Sequence, residues 1–273
     1  MAAGASRSRS PAAPVVTLTT DFGTRDPFVG IMKGVILCAA PDARIVDLTH
    51  HVPAQNVVAG AHALASATRW FPRGTIHIAV VDPGVGTRRR ALLVETAAGW
   101  LVGPDNGLLS LAAPSATTRR ILDVSRSRVR LRPVSRTFHG RDVFAPVAAA
   151  LAVGAAPETL GKRVRTMARL QSTAPRRHGG RLVGEVLWAD GFGNLATNIR
   201  RSHLECADFR GRRLSVTIAT HVLPLRPSYA SVPRGGALAL INSSDLLEVA
   251  VNGGSAAERF AGRPGSTVTV SPV

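Results

Sequence analysis

Lysine is nearly missing from this chain of 273 residues: only Lys33 and Lys162 occur, and every other basic residue is arginine. Acidic residues are also scarce, 17 against 34 basic, which leaves a formal net charge of +17. Such a charge invites a nucleic-acid partner, but it is spread along the chain. Residues 15–168 hold 19 basic and 10 acidic residues, and residues 169–273 hold 13 and 7. Even spreading gives weak, salt-sensitive adhesion to polyanions rather than a local footprint. The one local run is Arg126, Arg128, Arg130 and Arg132. Its period of two places all four on one face of an expected strand, and a solvated strand face accounts for them better than a polyanion site. Nucleic acid is therefore not expected as a partner.

There are only two cysteines, Cys38 and Cys206. That excludes a disulfide framework and a cysteine-spaced metal site. Cys38 lies in the apolar run 34–40 and is expected as a small core residue. No secretory signal is legible, so a reducing cytoplasm is the expected setting. No window of 18 apolar residues exists to cross a membrane as a helix. Aromatic residues make up only 4%, yet hydrophobic residues make up 45%. The core must then be packed largely by Val, Leu, Ala and Ile.

The order of patterns defines two regions. Residues 1–14 are small, polar and proline-bearing, as expected of a disordered leader. From residue 15, β-branched runs at 15–20, 44–48 and 75–81 alternate with helical patterns at 27–40 and 56–70. A hairpin is expected over 91–96 and 100–103, and a helix over 143–153. This alternation implies an α/β domain with a mostly parallel sheet over residues 15–170. Residues 171–181 read as a linker. After it come short strands at 182–188, 214–218, 237–241, 247–251 and 267–270, as in a small all-β barrel domain spanning 182–273.

Ligands of parallel sheets bind beyond the carboxyl ends of strands. Asp21 and Asp82 each follow a buried strand, so the two carboxylates are expected to share one crevice. A carboxylate at Asp21 can accept two hydrogen bonds from a ribose diol, or it can organise a turn. Asp82 opens Asp82-Pro83-Gly84-Val85-Gly86-Thr87, followed by Arg88, Arg89 and Arg90. This loop lacks the Gly-Lys-Ser/Thr ending of a nucleotide P-loop, and a structural Asp–Arg pair is the plainer interpretation of it alone. His139 stands beside Gly140 just before a helix, where a cleft residue or a cap are both possible. Asp190, Phe192 and Asn194 crowd a glycine-rich turn; Asn can read an adenine edge and Phe can stack on a ring. A polar turn at Asn242-Ser243 sits between two strands.

Together these segments resemble the S-adenosylmethionine hydroxide adenosyltransferases, relatives of the fluorinase and chlorinase enzymes. The resemblance rests on Thr20-Asp21-Phe22-Gly23, Val81-Asp82-Pro83-Gly84-Val85-Gly86-Thr87, Pro104-Asp105-Asn106-Gly107-Leu108, Phe138-His139-Gly140-Arg141-Asp142, Asp190-Gly191-Phe192-Gly193-Asn194 and Asn242-Ser243. They occur in family order over residues 15–270.

The resemblance implies an enzyme that hydrolyses S-adenosyl-L-methionine to adenosine and L-methionine, with no metal and no cofactor. It implies a homotrimer whose site lies between neighbouring subunits. Asp82, Arg89 and His139 would activate water, Arg89 being chosen over Arg88 and Arg90 by its spacing from Asp82. Asp21 would hold the ribose, and Asp190 and Ser243 the amino-acid end. Phe192 and Asn194 would lie at the adenine, with Phe138 also against the substrate. The alternatives are a halogenase of the same family and a non-catalytic binder of S-adenosylmethionine or adenosine. In the halogenases the loop acid is replaced, and fluorinase carries a long insertion where this chain has only Thr96-Ala97-Ala98-Gly99; both points favour water. Asp245, where relatives often carry an aromatic nearby, adds a negative charge close to the expected amino-acid end.

Overall fold

The computed structural model describes residues 13–171, 174–206 and 209–273. All but the last two residues of the expected leader lie outside the described residues. The chain divides into two compact units, Met1–Leu170 and Gln171–Val273.

The first unit is built on β1 (Val15–Thr20), β2 (Arg44–Thr49), β3 (Thr75–Val80), β4 (Ala91–Thr96), β5 (Gly99–Pro104), β6 (Thr118–Asp123) and β7 (Lys162–Val164). They form one sheet in the order β2-β1-β3-β5-β4-β6-β7. The β2-β1-β3-β5 half is parallel, and the remaining pairs are antiparallel. β3 is buried along its whole length, as a central strand covered on both faces must be. Its His77 accordingly sits at 1% exposure with Nδ1 2.8 Å from the Thr17 hydroxyl, and burial pushes its pKa down to about 4.

Helices α1 (Phe28–Ala39) and α3 (Ala145–Ala152) pack against each other and share one core with β1 and β3. α1 buries Val29, Met32 and Ile36, a single helical stripe. Cys38 does not join the core as expected; it is exposed. Two positions beyond Ile36 it is turned about 200° from the buried stripe. α2 (Val57–Thr68) starts at Asn56, whose side-chain oxygen accepts the Ala59 N–H at 2.9 Å.

The strand expected at Arg126–Arg132 does not form. Its backbone is taken up elsewhere: Ser127 N–H donates to the Val124 carbonyl, Leu131 N–H to the Asp142 carbonyl, and Ser135 N–H to the Asp142 carboxylate.

The second unit contains β8 (Arg176–His178), β9 (Arg181–Ala189), β10 (Leu195–Arg200), β11 (Leu214–Ile218), β12 (His221–Pro224), β13 (Ala237–Ile241), β14 (Leu246–Val251) and β15 (Thr267–Pro272). The path β12-β11-β15-β9-β10-β14-β13 curls until Leu225 bridges Ala239, leaving a nearly closed antiparallel barrel. Its core is mostly aliphatic, with Leu195, Ile199, Val216, Leu247, Val249, Val268 and Val270 fully buried. Within the stretch that reads as a linker, Arg176–His178 pairs with β9. Gly179 and Gly180 both have positive φ, the requirement of a tight two-residue hairpin turn. Among the described residues no helix is long and apolar enough to cross a membrane.

Candidate active site

β1 and β3 are hydrogen-bonded neighbours running in the same direction, so their carboxyl ends deliver Asp21 and the Asp82 loop to one edge of the sheet. The end of the second strand is fixed by Asn106, whose amide donates to the Val81 carbonyl at 2.8 Å. The loop then closes on itself: Val85 N–H donates to the Asp82 carbonyl and Thr87 N–H to the Gly84 carbonyl. Gly86 is required twice over. Its φ is +78°, and a Cβ there would collide with the Arg136 carbonyl.

This folding brings three side chains into one network. Arg89 Nε donates to Asp82 Oδ1 at 2.7 Å and its Nη2 to Asp82 Oδ2, a two-pronged pair. The Arg89 and Asp82 side chains are only 9% and 5% exposed. Arg89 Nη2 also lies 2.8 Å from His139 Nδ1. A guanidinium has no acceptor, so Nδ1 must accept, and the ring proton of a neutral His139 sits on Nε2. Burial first, and the Arg89 charge second, hold the His139 pKa below its ordinary value against the opposing pull of Asp82 and Asp142. Of the other two arginines, Arg90 is bound to Asp105 and the Thr166 carbonyl, and Arg88 is exposed. The structure thus joins Arg89 alone of the three to Asp82.

His139 leads into a single wide helical turn, Gly140–Phe144, which runs on into α3. Asp142 within it is 1% exposed and accepts from the Ser135 N–H and the Arg141 guanidinium. Burial raises its pKa, but those donors outweigh it and leave the carboxyl below its usual range.

Asp82 and His139 line a cleft of ≈ 400 Å³ with Asp21 and Phe138. Asp21 Oδ2 accepts the Gln55 N–H at 2.8 Å. Phe22, Phe28 and Phe138 form the aromatic wall, their rings edge-to-face at 5.3–5.9 Å.

A second pocket belongs to the barrel unit alone. Asp190, Phe192, Asn194 and Ser243 all line it. Asp190 organises its turn: Oδ1 accepts from Phe192 N–H and Asn194 N–H, and Oδ2 from the Asn194 amide. Phe192 stands 82% exposed at the rim. Asn242 Oδ1 accepts the Ser244 and Leu246 N–H groups and so fixes the turn that presents Ser243. Asp245 is absent from the pocket lining and bonds Arg201, so its charge is directed away from the pocket.

Two further residues of this pocket, Tyr229 and Glu248, are not among those expected from the sequence. Glu248 is 4% exposed inside a fully buried strand, and it accepts from the Tyr229 hydroxyl at 2.6 Å and the Asn242 amide at 3.0 Å. A lone acid within the apolar run Leu246–Val251 was the available signal. Burial, followed by the Glu248 bond and charge, holds the Tyr229 hydroxyl protonated well above the ordinary tyrosine range. Phe28 was hidden because it opens an apolar helix, although it is 42% exposed.

Comparison with known proteins bears on both units. The model of the S-adenosylmethionine hydroxide adenosyltransferase N-terminal domain matches residues 16–161, and that of the C-terminal domain matches 184–269. A Thermus thermophilus protein named (R)-S-adenosyl-L-methionine hydrolase is 42% identical, over 93% of this chain and 98% of its own. A fluorinase of an Actinoplanes species is 30% identical, over 94% and 97%. The crystal structure of an uncharacterised conserved protein from Thermotoga maritima superposes with a TM-score of 0.84 at 33% identity, covering 94% of this chain and 99% of that one.

Proposed function

Because the chain belongs to the S-adenosylmethionine hydroxide adenosyltransferase family, we propose that it hydrolyses S-adenosyl-L-methionine to adenosine and L-methionine. The observation that carries this reading is the Asp82–Arg89–His139 network at the wall of a cleft that also holds Asp21.

The substrate is a sulfonium ion, and its leaving group departs as a neutral thioether. No acid is needed to help it leave; the demanding partner is water. A carboxylate has lone pairs beyond the two that Arg89 occupies, so Asp82 accepts a proton from the attacking water as the new C5′–O bond forms and the C5′–S bond breaks. That proton passes to solvent. Arg89 stabilises the developing hydroxide charge and fixes the direction of the carboxylate. His139, with Nδ1 already occupied, donates Nε2–H to the water oxygen and positions it in line with sulfur. Asp21 holds the ribose hydroxyls against the aromatic wall that includes Phe138. In the barrel pocket Asp190 and Ser243 take the methionine end, while Phe192 and Asn194 face the adenine. We infer further that the working form is a cytoplasmic homotrimer in which neighbouring chains complete each site; sedimentation would show it.

The fluorinase relative keeps a second reading open, transfer of the adenosyl group to halide. Asp82 argues against it, because a nucleophile seated against that carboxylate must offer it a proton, which water can do and a halide ion cannot. The test is chromatography of products from purified protein with S-adenosylmethionine, with each sulfonium configuration separate, in ¹⁸O water with and without chloride or fluoride. Adenosine labelled at the 5′ oxygen is expected. A 5′-halo product, or tight substrate binding with no adenosine, would overturn the reading.

A further inference from the structure

Arg126 and Arg130, expected on a strand face, instead line a second cavity in the first unit, one of ≈ 510 Å³ shared with Arg88, Arg89 and Arg90. His139 lines both this cavity and the substrate cleft. Five guanidinium groups therefore surround a space whose only acidic lining residue is Asp123, and one oxygen of that carboxylate already accepts the Ser125 N–H and hydroxyl. Two of the five cations are neutralised locally, Arg89 by Asp82 and Arg90 by Asp105. The other three are not. Arg88 and Arg126 are exposed. Arg130 uses Nη1 on the Ser125 carbonyl at 2.8 Å, while its Nε is buried without a partner. A buried donor left empty is costly, so the position favours a ligand that accepts from it.

The backbone around the cavity is pinned. Ser125 Oγ accepts the Ala91 N–H at 2.8 Å, and Val124 N–H donates to the Ala91 carbonyl at 2.8 Å. Downstream, Leu131 N–H and Ser135 N–H are tied to Asp142, and Gly86 lies against the Arg136 carbonyl. The arginines therefore stand on fixed backbone.

We propose that this cavity is an anion subsite that takes a phosphate group, held by Arg88, Arg126 and Arg130. Forked guanidinium donors match the oxygens of a tetrahedral dianion better than a halide. A nucleic-acid track fits less well, because Arg128 and Arg132, the remaining members of the same run, do not line the cavity. The phosphate comes either free or as the terminal group of an organic monoester. The site is separate from the hydrolysis reading and stands or falls without it.

The test is calorimetric titration of the full chain with inorganic phosphate, at ionic strength held constant with chloride. One phosphate per chain is expected, with affinity falling at least tenfold in the Arg88→Ser/Arg126→Ser double variant. An Arg128→Ser/Arg132→Ser variant, which loses the same charge outside the cavity, should bind as the wild type does. Absence of binding to the wild type, equal affinity in the cavity variant, or equal losses in both double variants overturns the proposal. Since all four positions are exposed, thermal melts should be unchanged. Titration with ribose 5-phosphate separates the sources: affinity matching inorganic phosphate assigns the site to organic monoesters, and a much weaker affinity assigns it to the free ion.

Discussion

The acidic groups of the two units are treated differently. In the first, Asp82 gives both oxygens to one guanidinium. In the second, Asp190 is held by two backbone N–H groups and an amide, and Glu248 by a phenol and an amide. The first arrangement is a compensated ion pair, stiff and close to neutral toward what lies outside it. The second leaves two carboxylates with neutral partners in one pocket, so the local potential is negative on a chain of charge +17. A cationic ligand group meets two such carboxylates in the second pocket, against Asp21 in the cleft of the first. Under the proposed function, the contrast matches bond-making with the first unit and capture of the ammonium end with the second.

The largest effect should come from the ion pair. Asp82→Asn keeps the size of the side chain and one acceptor, but removes the base. Turnover should fall about 10³-fold, within the usual range for loss of a general base, with KM changed little. Steady-state kinetics on the released adenosine checks this, and turnover within tenfold of wild type would collapse the contrast.

Acid sensitivity should also divide the units. His77 has a folded pKa of about 4 against an ordinary 6.5. Its folded value is depressed, so the unfolded chain binds the proton first as pH falls. The neutral-state stability is whole above about pH 6.5 and drains away towards pH 4, by on the order of 3 kcal/mol. Hydrogen exchange followed from pH 7 to 4 should show the first unit losing protection ahead of the barrel, and His77→Leu should flatten that loss. Equal loss in both units would remove the distinction.

Next come Glu248→Gln and Asp190→Asn. Each should raise KM about tenfold, matching the loss of one charge-assisted contact, with kcat within about twofold. A fall in kcat at constant KM would place these carboxylates with the chemistry instead. The smallest effect is expected from Phe192→Ala. At 82% exposure the ring adds little to stability, and a stacking contact of about 1 kcal/mol predicts a roughly fivefold rise in KM with an unchanged melting temperature.

Much of the fold could be anticipated because the apolar pattern and the backbone pattern coincide. The expected helices at 27–40 and 56–70 appear as Phe28–Ala39 and Val57–Thr68, and the strand expected at 75–81 appears as Thr75–Val80. What escaped was structure whose cause is distant in sequence. Thr118–Asp123 carries two arginines near its start and still pairs as a strand, with Arg119 and Arg120 meeting Glu95 on the neighbouring strand. Leu195–Arg200 was hidden by the glycine turn before it. The arginine run at 126–132 had strand periodicity, but Asp142 claims its neighbouring N–H groups. In the site, motif order located the acids and the histidine. Spacing picked Arg89 from its neighbours, and its hydrogen bonds join that residue to Asp82; the tautomer of His139 and the Tyr229–Glu248 bond could not be read, since both depend on which side chains converge.

The barrel closes at one point, where Leu225 bridges Ala239 and the Arg226 N–H meets the Ala239 carbonyl. That seam is its weakest line, because β13 is joined to β14 by five residue pairs on its other side. Parting of that seam would leave Asn242 and Ser243 with β14 and release the connecting segment that bears Tyr229 from Glu248. Tyr229 is the chain's single tyrosine, so its ring resonance would report such an opening without interference, and a ligand that holds the seam shut would change the same signal.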